Sequence, residues 1–176
     1  MSLNSKFKVS EFPSQISNSF FNEIYKFNQE HTPEVGSLFS VEYLKQLIKL
    51  SSNNFYISCD GNIIGFMICF REGSEYNSKN YNFFSKNQSK FLYIDRIAVK
   101  EEFRRKGIGR NLYNLISTIA EDKKIPLCCE VNTVPLNQAS IYFHENFGFY
   151  KVGEHSFADH SVAYFMKDYS QSICKK

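Results

Sequence analysis

The chain has 176 residues, of which 43% are hydrophobic and 22% are charged, and its formal net charge is +3. A chain of this length buries roughly 70% of its unfolded surface, so it needs neither disulfides nor a structural metal to fold. The apolar content excludes intrinsic disorder, and the charge is too small to indicate nucleic-acid binding by itself.

The sequence predicts one cytoplasmic domain, residues 1–176, with no signal peptide and no membrane span. Residues 1–10 are polar, and the longest apolar run, Ile63–Phe70, has only the length of a strand. The five cysteines lack metal-ligand spacing, and the adjacent Cys128 and Cys129 would point to opposite faces of a strand. We therefore expect free, mostly buried thiols in a reducing compartment and no metal site.

Hydrophobic spacing predicts helices and a hairpin in the first half of the chain. Apolar residues at helical spacing predict a helix over 16–29, and Ser40 is predicted to cap a second helix. Asp60 and Gly61 separate two apolar runs, Phe55–Cys59 and Ile63–Phe70. This arrangement is typical of a β-hairpin.

The second half alternates between strands and helices after a long polar stretch, residues 71–90, which we predict to be a functional loop. The predicted strands are Phe91–Val99, Leu127–Val131, Phe149–Gly153 and Ser161–Met166, and the predicted helices run from Gly107 to about Glu121 and from Gln138 to Phe147. This order predicts a mixed α/β fold. Its sheet would be mostly antiparallel, with a parallel pair near residues 95 and 129 and about four flanking helices.

Residues 104–110, Arg-Arg-Lys-Gly-Ile-Gly-Arg, lie where a strand leads into a helix and are called the basic turn below. The first amides of a helix and its dipole attract anions, and glycines let an anion approach the backbone. The basic turn therefore suits a diphosphate, although it is neither a Walker loop nor a dinucleotide fingerprint. The alternatives are a solvated helix start and nucleic-acid binding.

Two motifs carry a resemblance to a known family. Arg104-x-x-Gly107-x-Gly109, which follows Ile97-Ala98-Val99, resembles the central motif of the GNAT N-acetyltransferase superfamily. Asn137-x-x-Ser140-x-x-x-His144-x-x-x-Gly148-Phe149 resembles the downstream motif of the same family. Longer pieces, Phe91–Val99, Cys129–Asn132 and Glu75–Tyr81, resemble a bacterial branch of predicted acetyltransferases, and the Ser140/His144 variant is locally similar to phosphinothricin-type acetyltransferases.

The resemblance implies the GNAT fold and acetyl-coenzyme A (acetyl-CoA) as cofactor. Main-chain groups of Ile97 and Val99 would pair with the pantetheine arm, the amides of the basic turn would hold the pyrophosphate, and the thioester would lie where the parallel strands splay apart. The residues implied in cofactor binding are Ile97, Ala98, Val99, Arg104, Arg105, Lys106, Gly107, Ile108, Gly109, Arg110, Asn132, Asn137, Ser140 and Phe143.

Catalytic roles follow from the same resemblance. His144 stands where many relatives carry a tyrosine, and we expect it to be the general acid; the alternative is a histidine that only hydrogen-bonds the cofactor or a carbonyl. In relatives the general base is a glutamate at positions where this chain has Tyr93 or Asn132. The candidate bases are therefore Asp95 and Glu130, unless a water chain takes this role. Asp95 could instead anchor the amine, or it could form a structural pair with Arg96 or a loop amide.

The expected reaction is direct transfer of an acetyl group to a small-molecule amine or an amino terminus. Glu34, Tyr76, Tyr81 and Tyr93 are the candidate acceptor-binding residues. The alternative is a catalytically silent module of the same fold that senses acyl-CoA or pairs with a protein. We expect a possible homodimer and neither a nucleic-acid nor a membrane partner.

Overall fold

The computed structural model describes residues 6–170, so the prediction for Cys174 lies outside the described residues. The strands are β1 (Phe7–Glu11), β2 (Asn53–Cys59), β3 (Asn62–Arg71), β4 (Leu92–Val99), β5 (Leu127–Val134), β6 (Tyr150–Ser156) and β7 (Ser161–Lys167). The α-helices are α1 (Asn18–Glu30), α2 (Val41–Leu50), α3 (Lys79–Asn87), α4 (Ile108–Lys123) and α5 (Gln138–Phe147), and a short 3-10 helix covers Glu101–Phe103. Within the described range no helix is long and apolar enough to cross a membrane.

The seven strands form one mixed sheet in the order β1-β2-β3-β4-β5-β7-β6. Strands β4 and β5 are parallel, and their register runs from Leu92 opposite Leu127 to Ile94 opposite Cys129. The pairs β1–β2, β2–β3, β5–β7 and β6–β7 are antiparallel. The predicted mixed, mostly antiparallel sheet with one parallel pair is therefore confirmed.

The described chain divides into two compact units. The first unit comprises residues 6–70 and 96–116, and the second comprises 71–95 and 117–170. The boundaries fall inside β3, β4 and α4, so each of these elements contributes one part to each unit.

The first unit is organised by caps, a tight turn and an apolar core. The Ser17 side chain accepts a hydrogen bond from the Phe20 amide and caps α1. The Ser40 side chain accepts one from the Tyr43 amide and caps α2, as predicted. The predicted hairpin turn is confirmed, with positive φ at both Asp60 and Gly61. The largest fully buried side chains of this unit are Phe66, Phe70, Ile24, Leu38, Leu44, Ile57, Ile64 and Met67.

Strand β1 was not predicted from the sequence. It pairs along its five residues with β2, from Phe7 opposite Cys59 to Glu11 opposite Phe55. Only Phe7 and Ser10 of this strand are partly buried, so it has little of the alternation that marks a strand. The strand is therefore held by its backbone hydrogen bonds to β2, and its side-chain pattern does not predict it.

The predicted loop over residues 71–90 is wrong for its second half, where α3 forms. The Ser78 side chain accepts the amide of Tyr81 and begins the helix. Tyr81 and Phe84 are its buried residues, and the ring of Phe83 stacks on Tyr164 of β7 at 4.1 Å. With this helix the described residues contain five α-helices, in agreement with the prediction of about four.

Candidate active site

The basic turn has the backbone geometry of an anion-binding loop. Arg105 and Gly107 both have positive φ, at 58° and 81°, and the Asn111 amide makes the first bond back along α4, to the carbonyl of Gly107. The amides of Ile108 and Gly109 precede that bond, so neither has a partner within the helix. A Cβ added to Gly109 would meet nothing within 4 Å, which leaves room for a ligand at this point of the backbone.

The end of β4 in the first unit is fixed by two side chains. The Val99 carbonyl accepts hydrogen bonds from Nε2 of His31 at 3.1 Å and from Nε of Arg104 at 3.3 Å. The amide of the next residue, Lys100, donates to the carbonyl of Ile64 in β3. Because successive main-chain groups of a strand point to opposite sides, the polar groups of Val99 face away from β3. His31 was assigned no role from the sequence, and its link to Val99 spans 68 positions of the chain.

Four polar side chains of the second unit form one hydrogen-bonded cluster, the Glu130 cluster (Asn80, Tyr93, Glu130 and Tyr164). The Tyr93 hydroxyl donates to Oε2 of Glu130 at 2.6 Å, and Nδ2 of Asn80 donates to Oε1 at 3.2 Å. The Tyr164 hydroxyl donates to Oδ1 of Asn80 at 3.1 Å. Both carboxylate oxygens of Glu130 therefore accept from separate donors.

The pKa of the Glu130 carboxyl is raised into the neutral to mildly alkaline range. Burial and then the negative charge of Asp95 raise the pKa of Glu130 to about 8, against the lowering effect of its bonds from Tyr93 and Asn80. Burial and then the charge of Glu130 hold the pKa of Tyr93 well above its usual value. Tyr93 therefore remains a neutral donor over the range in which Glu130 titrates.

The structure brings Asp95 together with Tyr76, another residue singled out from the sequence. The Tyr76 hydroxyl donates to Oδ1 of Asp95 at 2.7 Å. Arg96, the candidate pairing partner of Asp95, donates to Oδ1 of Asn28 at 2.7 Å and to the Gly36 carbonyl at 3.0 Å in the first unit, and its pairing with Asp95 stays a prediction. These bonds hold the chain after α1 against β4.

Two other acceptor-binding candidates, Tyr81 and Glu34, differ from each other in exposure to solvent. Tyr81 is 2% exposed, and its hydroxyl donates to the Arg71 carbonyl at 2.7 Å and accepts from the Ser74 amide at 3.0 Å. These main-chain bonds favour a structural role for Tyr81. Glu34 is exposed in the first unit, and its acceptor role stays a prediction.

His144 lies on α5 in an aromatic environment and is 4% exposed. Its Nδ1 is 2.7 Å from the Ser140 carbonyl, to which it must donate, because a carbonyl only accepts. Phe149 and Phe165 place their rings 5.3 Å and 6.0 Å from the imidazole. Burial lowers the pKa of His144, although the bond to Ser140 opposes this effect.

The remaining cofactor candidates of the second unit begin and line α5. Oδ1 of Asn137 accepts the Ser140 amide and caps the helix, and the Asn137 amide donates to the Asn132 carbonyl. Phe143 stacks on Phe147 at 5.7 Å. Within the described residues no cluster of His, Cys, Asp or Glu is arranged to hold a metal, and Cys59, Cys69, Cys128 and Cys129 are buried free thiols.

Comparison with known proteins places this geometry in a family. The profile of the acetyltransferase (GNAT) family matches residues 20–149. The fold is similar to that of the ribosomal-protein-S18-alanine N-acetyltransferase from Escherichia coli, with a TM-score of 0.66 and 16% identity over 97% of this chain and 98% of that one. Ard1 from Thermoplasma volcanium gives a TM-score of 0.70 and 17% identity over 93% and 97%. Arabidopsis thaliana NAA60, solved in complex with acetyl-CoA, gives 0.70 and 15% over 92% and 98%.

The chain belongs to the acetyltransferase (GNAT) family, since the family profile covers most of its length. It is an N-acetyltransferase, and its acyl donor is acetyl-CoA, as in the family. The predicted family, fold, enzyme class and cofactor are therefore confirmed.

Proposed function

We propose that the chain transfers the acetyl group of acetyl-CoA directly to a primary amine, with Glu130 as the base that removes the amine proton. The observation that carries this proposal is the carboxylate of Glu130, held through both oxygens by Tyr93 and Asn80. An amine attacks only when it is neutral, so a positioned base is the group that this reaction requires of the protein.

The chain's residues fit the cofactor. The amides at the start of α4 and the exposed cations of the basic turn would bind the pyrophosphate, and the open space at Gly109 would let the ligand approach the backbone. Bound acetyl-CoA supplies the acetyl group as an activated thioester. We further propose that the main chain of Val99 binds the pantetheine arm through its amide, because its carbonyl already accepts from His31 and Arg104.

The expected acceptor carries an α-amino group, either on a small molecule or at an amino terminus. Burial raises the pKa of Glu130 to about 8, close to the roughly 7.7–8.0 of an α-ammonium and about two units below the roughly 10.4 of an alkylammonium. Proton transfer to Glu130 is thus nearly balanced for the first kind of amine and uphill for the second. The negative charge of Asp95, held by Tyr76, favours a cationic acceptor in its protonated form.

His144 is the proposed general acid. Its Nδ1 proton is committed to the Ser140 carbonyl, so Nε2 is the ring atom that would hold the exchangeable proton. Burial lowers the pKa of His144, and an imidazolium is therefore a minor species at neutral pH. We expect the contribution of His144 to decline as the pH rises.

The cytoplasmic location, the bacterial origin and the homodimer stay predictions.

The test is release of free thiol from acetyl-CoA in the presence of a panel of amines. We expect dipeptides and amino-acid amides to be acetylated in preference to alkylamines at pH 8. Glu130→Gln should lower kcat by about a hundredfold or more, the usual contribution of a positioned base.

The matched control is Glu121→Gln, which removes an exposed carboxylate in the last turn of α4 and should leave kcat unchanged. Full activity in Glu130→Gln would exclude Glu130 as the base. Absence of thiol release with every amine would contradict the proposed reaction and favour a module that binds acetyl-CoA without turning it over.

A further inference from the structure

We propose that Asn80 is a positioning residue for Glu130, and that the Tyr164 hydroxyl stabilises the orientation in which Asn80 acts. The inference deepens the proposed function and rests on it, because Glu130 is taken as the base. It also gives α3, which the sequence did not predict, a place in the chemistry.

The direction of the Asn80–Glu130 bond follows from the chemistry of the two groups. In its ionised form Glu130 only accepts, so the Asn80 amide presents Nδ2 to Oε1 of the carboxylate, at 3.2 Å. Tyr93 supplies the second donor, to Oε2, from the neighbouring strand. The carboxylate is therefore held between a phenol on one side and an amide on the other.

Tyr164 stabilises this orientation of the amide, which the ionised carboxylate requires. Its hydroxyl is 3.1 Å from Oδ1 of Asn80, so donation from Tyr164 leaves Nδ2 directed at Glu130. A flipped amide would place Oδ1 against the oxygen of an ionised carboxylate, which is repulsive. Tyr164 lies directly opposite Glu130 in the β5–β7 register and is 2% exposed, so its hydroxyl has little freedom to move.

Packing fixes α3, and hence Asn80, relative to this strand pair. The Phe83 ring is stacked on Tyr164, and the Phe84 ring lies 5.7 Å from the ring of Tyr93. A Cβ added to Gly153 of β6 would come within 2.8 Å of Phe83, so glycine is required there for Phe83 to occupy this place. The helix is thus seated on three strands of the second unit through side chains that adjoin Asn80.

Several groups interact with Glu130 from the elements around it, and donation from Asn80 opposes the effect of Asp95. They are Tyr93 and Asp95 of β4, Tyr76 through its bond to Asp95, Asn80 of α3, Cys129 of β5 and Tyr164 of β7. Burial and Asp95 favour the protonated acid, whereas donation from Asn80 favours the carboxylate. Loss of Asn80 should therefore raise the pKa of Glu130 and delay its ionisation to higher pH.

The experiment follows the carboxyl carbon of Glu130 by NMR in protein labelled with ¹³C-glutamate, with Glu130→Gln used to assign the signal. We expect Asn80→Ala to raise the titration midpoint by about one pH unit, the effect of losing one hydrogen bond to a charged group. Asn80→Asp, which keeps the shape but replaces the donor with a like charge, should raise the midpoint further and serves if the alanine variant does not fold.

The matched control is Asn87→Ala, at the exposed end of the same helix, where Nδ2 bonds only the Phe83 carbonyl among the hydrogen bonds described for it. This control should leave the midpoint of Glu130 unchanged. An unchanged midpoint in both Asn80 variants would overturn the assignment of Asn80 as a positioning residue.

The role of Tyr164 is tested by a double-mutant cycle. Tyr164→Phe should raise the midpoint by less than Asn80→Ala does, and it should add nothing when Asn80 is already alanine. An equal shift in both backgrounds would show that Tyr164 acts on Glu130 directly and would overturn the relay through Asn80.

The pH dependence of the transfer rate separates this inference from the proposed function. If both hold, the pH midpoint of the rate moves upward with the NMR midpoint in Asn80→Ala. An NMR midpoint that moves while the rate profile does not would support the positioning of the carboxylate and contradict the use of Glu130 as the base.

Discussion

The carboxyl group of Glu130 connects the stability of this protein to its proposed chemistry. In the folded chain its pKa is raised to about 8 from an ordinary value of 4.5, first by burial and then by Asp95. The folded state therefore binds this proton more tightly than the unfolded state does. The stabilisation is fully present below pH 4.5 and is lost as the pH rises through 8.

Glu130→Gln should remove this loss of stability, because glutamine stays neutral. The difference in unfolding free energy between the variant and the wild type should grow in favour of the variant from pH 5 to pH 8.5, by at most about 5 kcal/mol. Urea denaturation at each pH measures it, and taking the difference cancels the opposite contribution of His144. Parallel pH dependences in the two proteins would contradict the raised pKa.

At the residue scale the sequence identified the acids but not what holds them. Asp95 and Glu130 stand on predicted strands, and each was a candidate base for that reason. Asn80 and Tyr164 lie 50 positions before and 34 positions after Glu130 in the chain, and only the packing of α3 and the β5–β7 register bring them to it. No spacing in the sequence encodes such a contact.

Among the elements, the start of α4 is where helix stability and acetyl-CoA binding favour different residues. Gly109 has open space where a Cβ would lie and is the second residue of the helix. Alanine stabilises a helix more than glycine does, so a helix with room for a Cβ at this position would gain stability from the exchange. Glycine here is explained if the bound pyrophosphate occupies that room.

Gly109→Ala should therefore leave stability unchanged or raise it by up to about 1 kcal/mol, while weakening acetyl-CoA binding about tenfold or more. Calorimetric titration and urea denaturation measure the two effects. Gly36→Ala is the control, because a Cβ there also meets nothing within 4 Å but lies outside the basic turn. Unaltered acetyl-CoA affinity in Gly109→Ala would contradict contact of the ligand with this backbone.

The elements that the sequence predicted are those with strong local signals. Ser40 capped its helix, Asp60-Gly61 formed its turn and the strands near residues 95 and 129 paired in parallel, because caps, turn residues and apolar runs act locally. The two missed elements, β1 and α3, depend on partners far along the chain. Helix α3 has only a Ser78 cap and two buried aromatic rings in a polar stretch, which is weak periodicity for nine residues.

For the whole molecule, the resemblance of two motifs was enough to predict the family, and the match over residues 20–149 confirms it. The acceptor and the base were not fixed in this way, because they depend on how the second unit arranges Asn80, Tyr93, Asp95 and Glu130. A single domain over the whole chain stays a prediction.

The measurement that tests this account most directly is the pH dependence of the single-turnover rate of acetyl transfer, at saturating acetyl-CoA and a saturating α-amine. The wild type should show a rate that rises with a midpoint near pH 8, the pKa of Glu130. Glu130→Gln should retain only a low residual rate, about a hundredfold or more below the wild type, and the pH dependence that remains should be that of the α-amine itself, whose pKa is roughly 7.7–8.0. The same rise, with the same midpoint and a comparable rate, in Glu130→Gln would contradict the account.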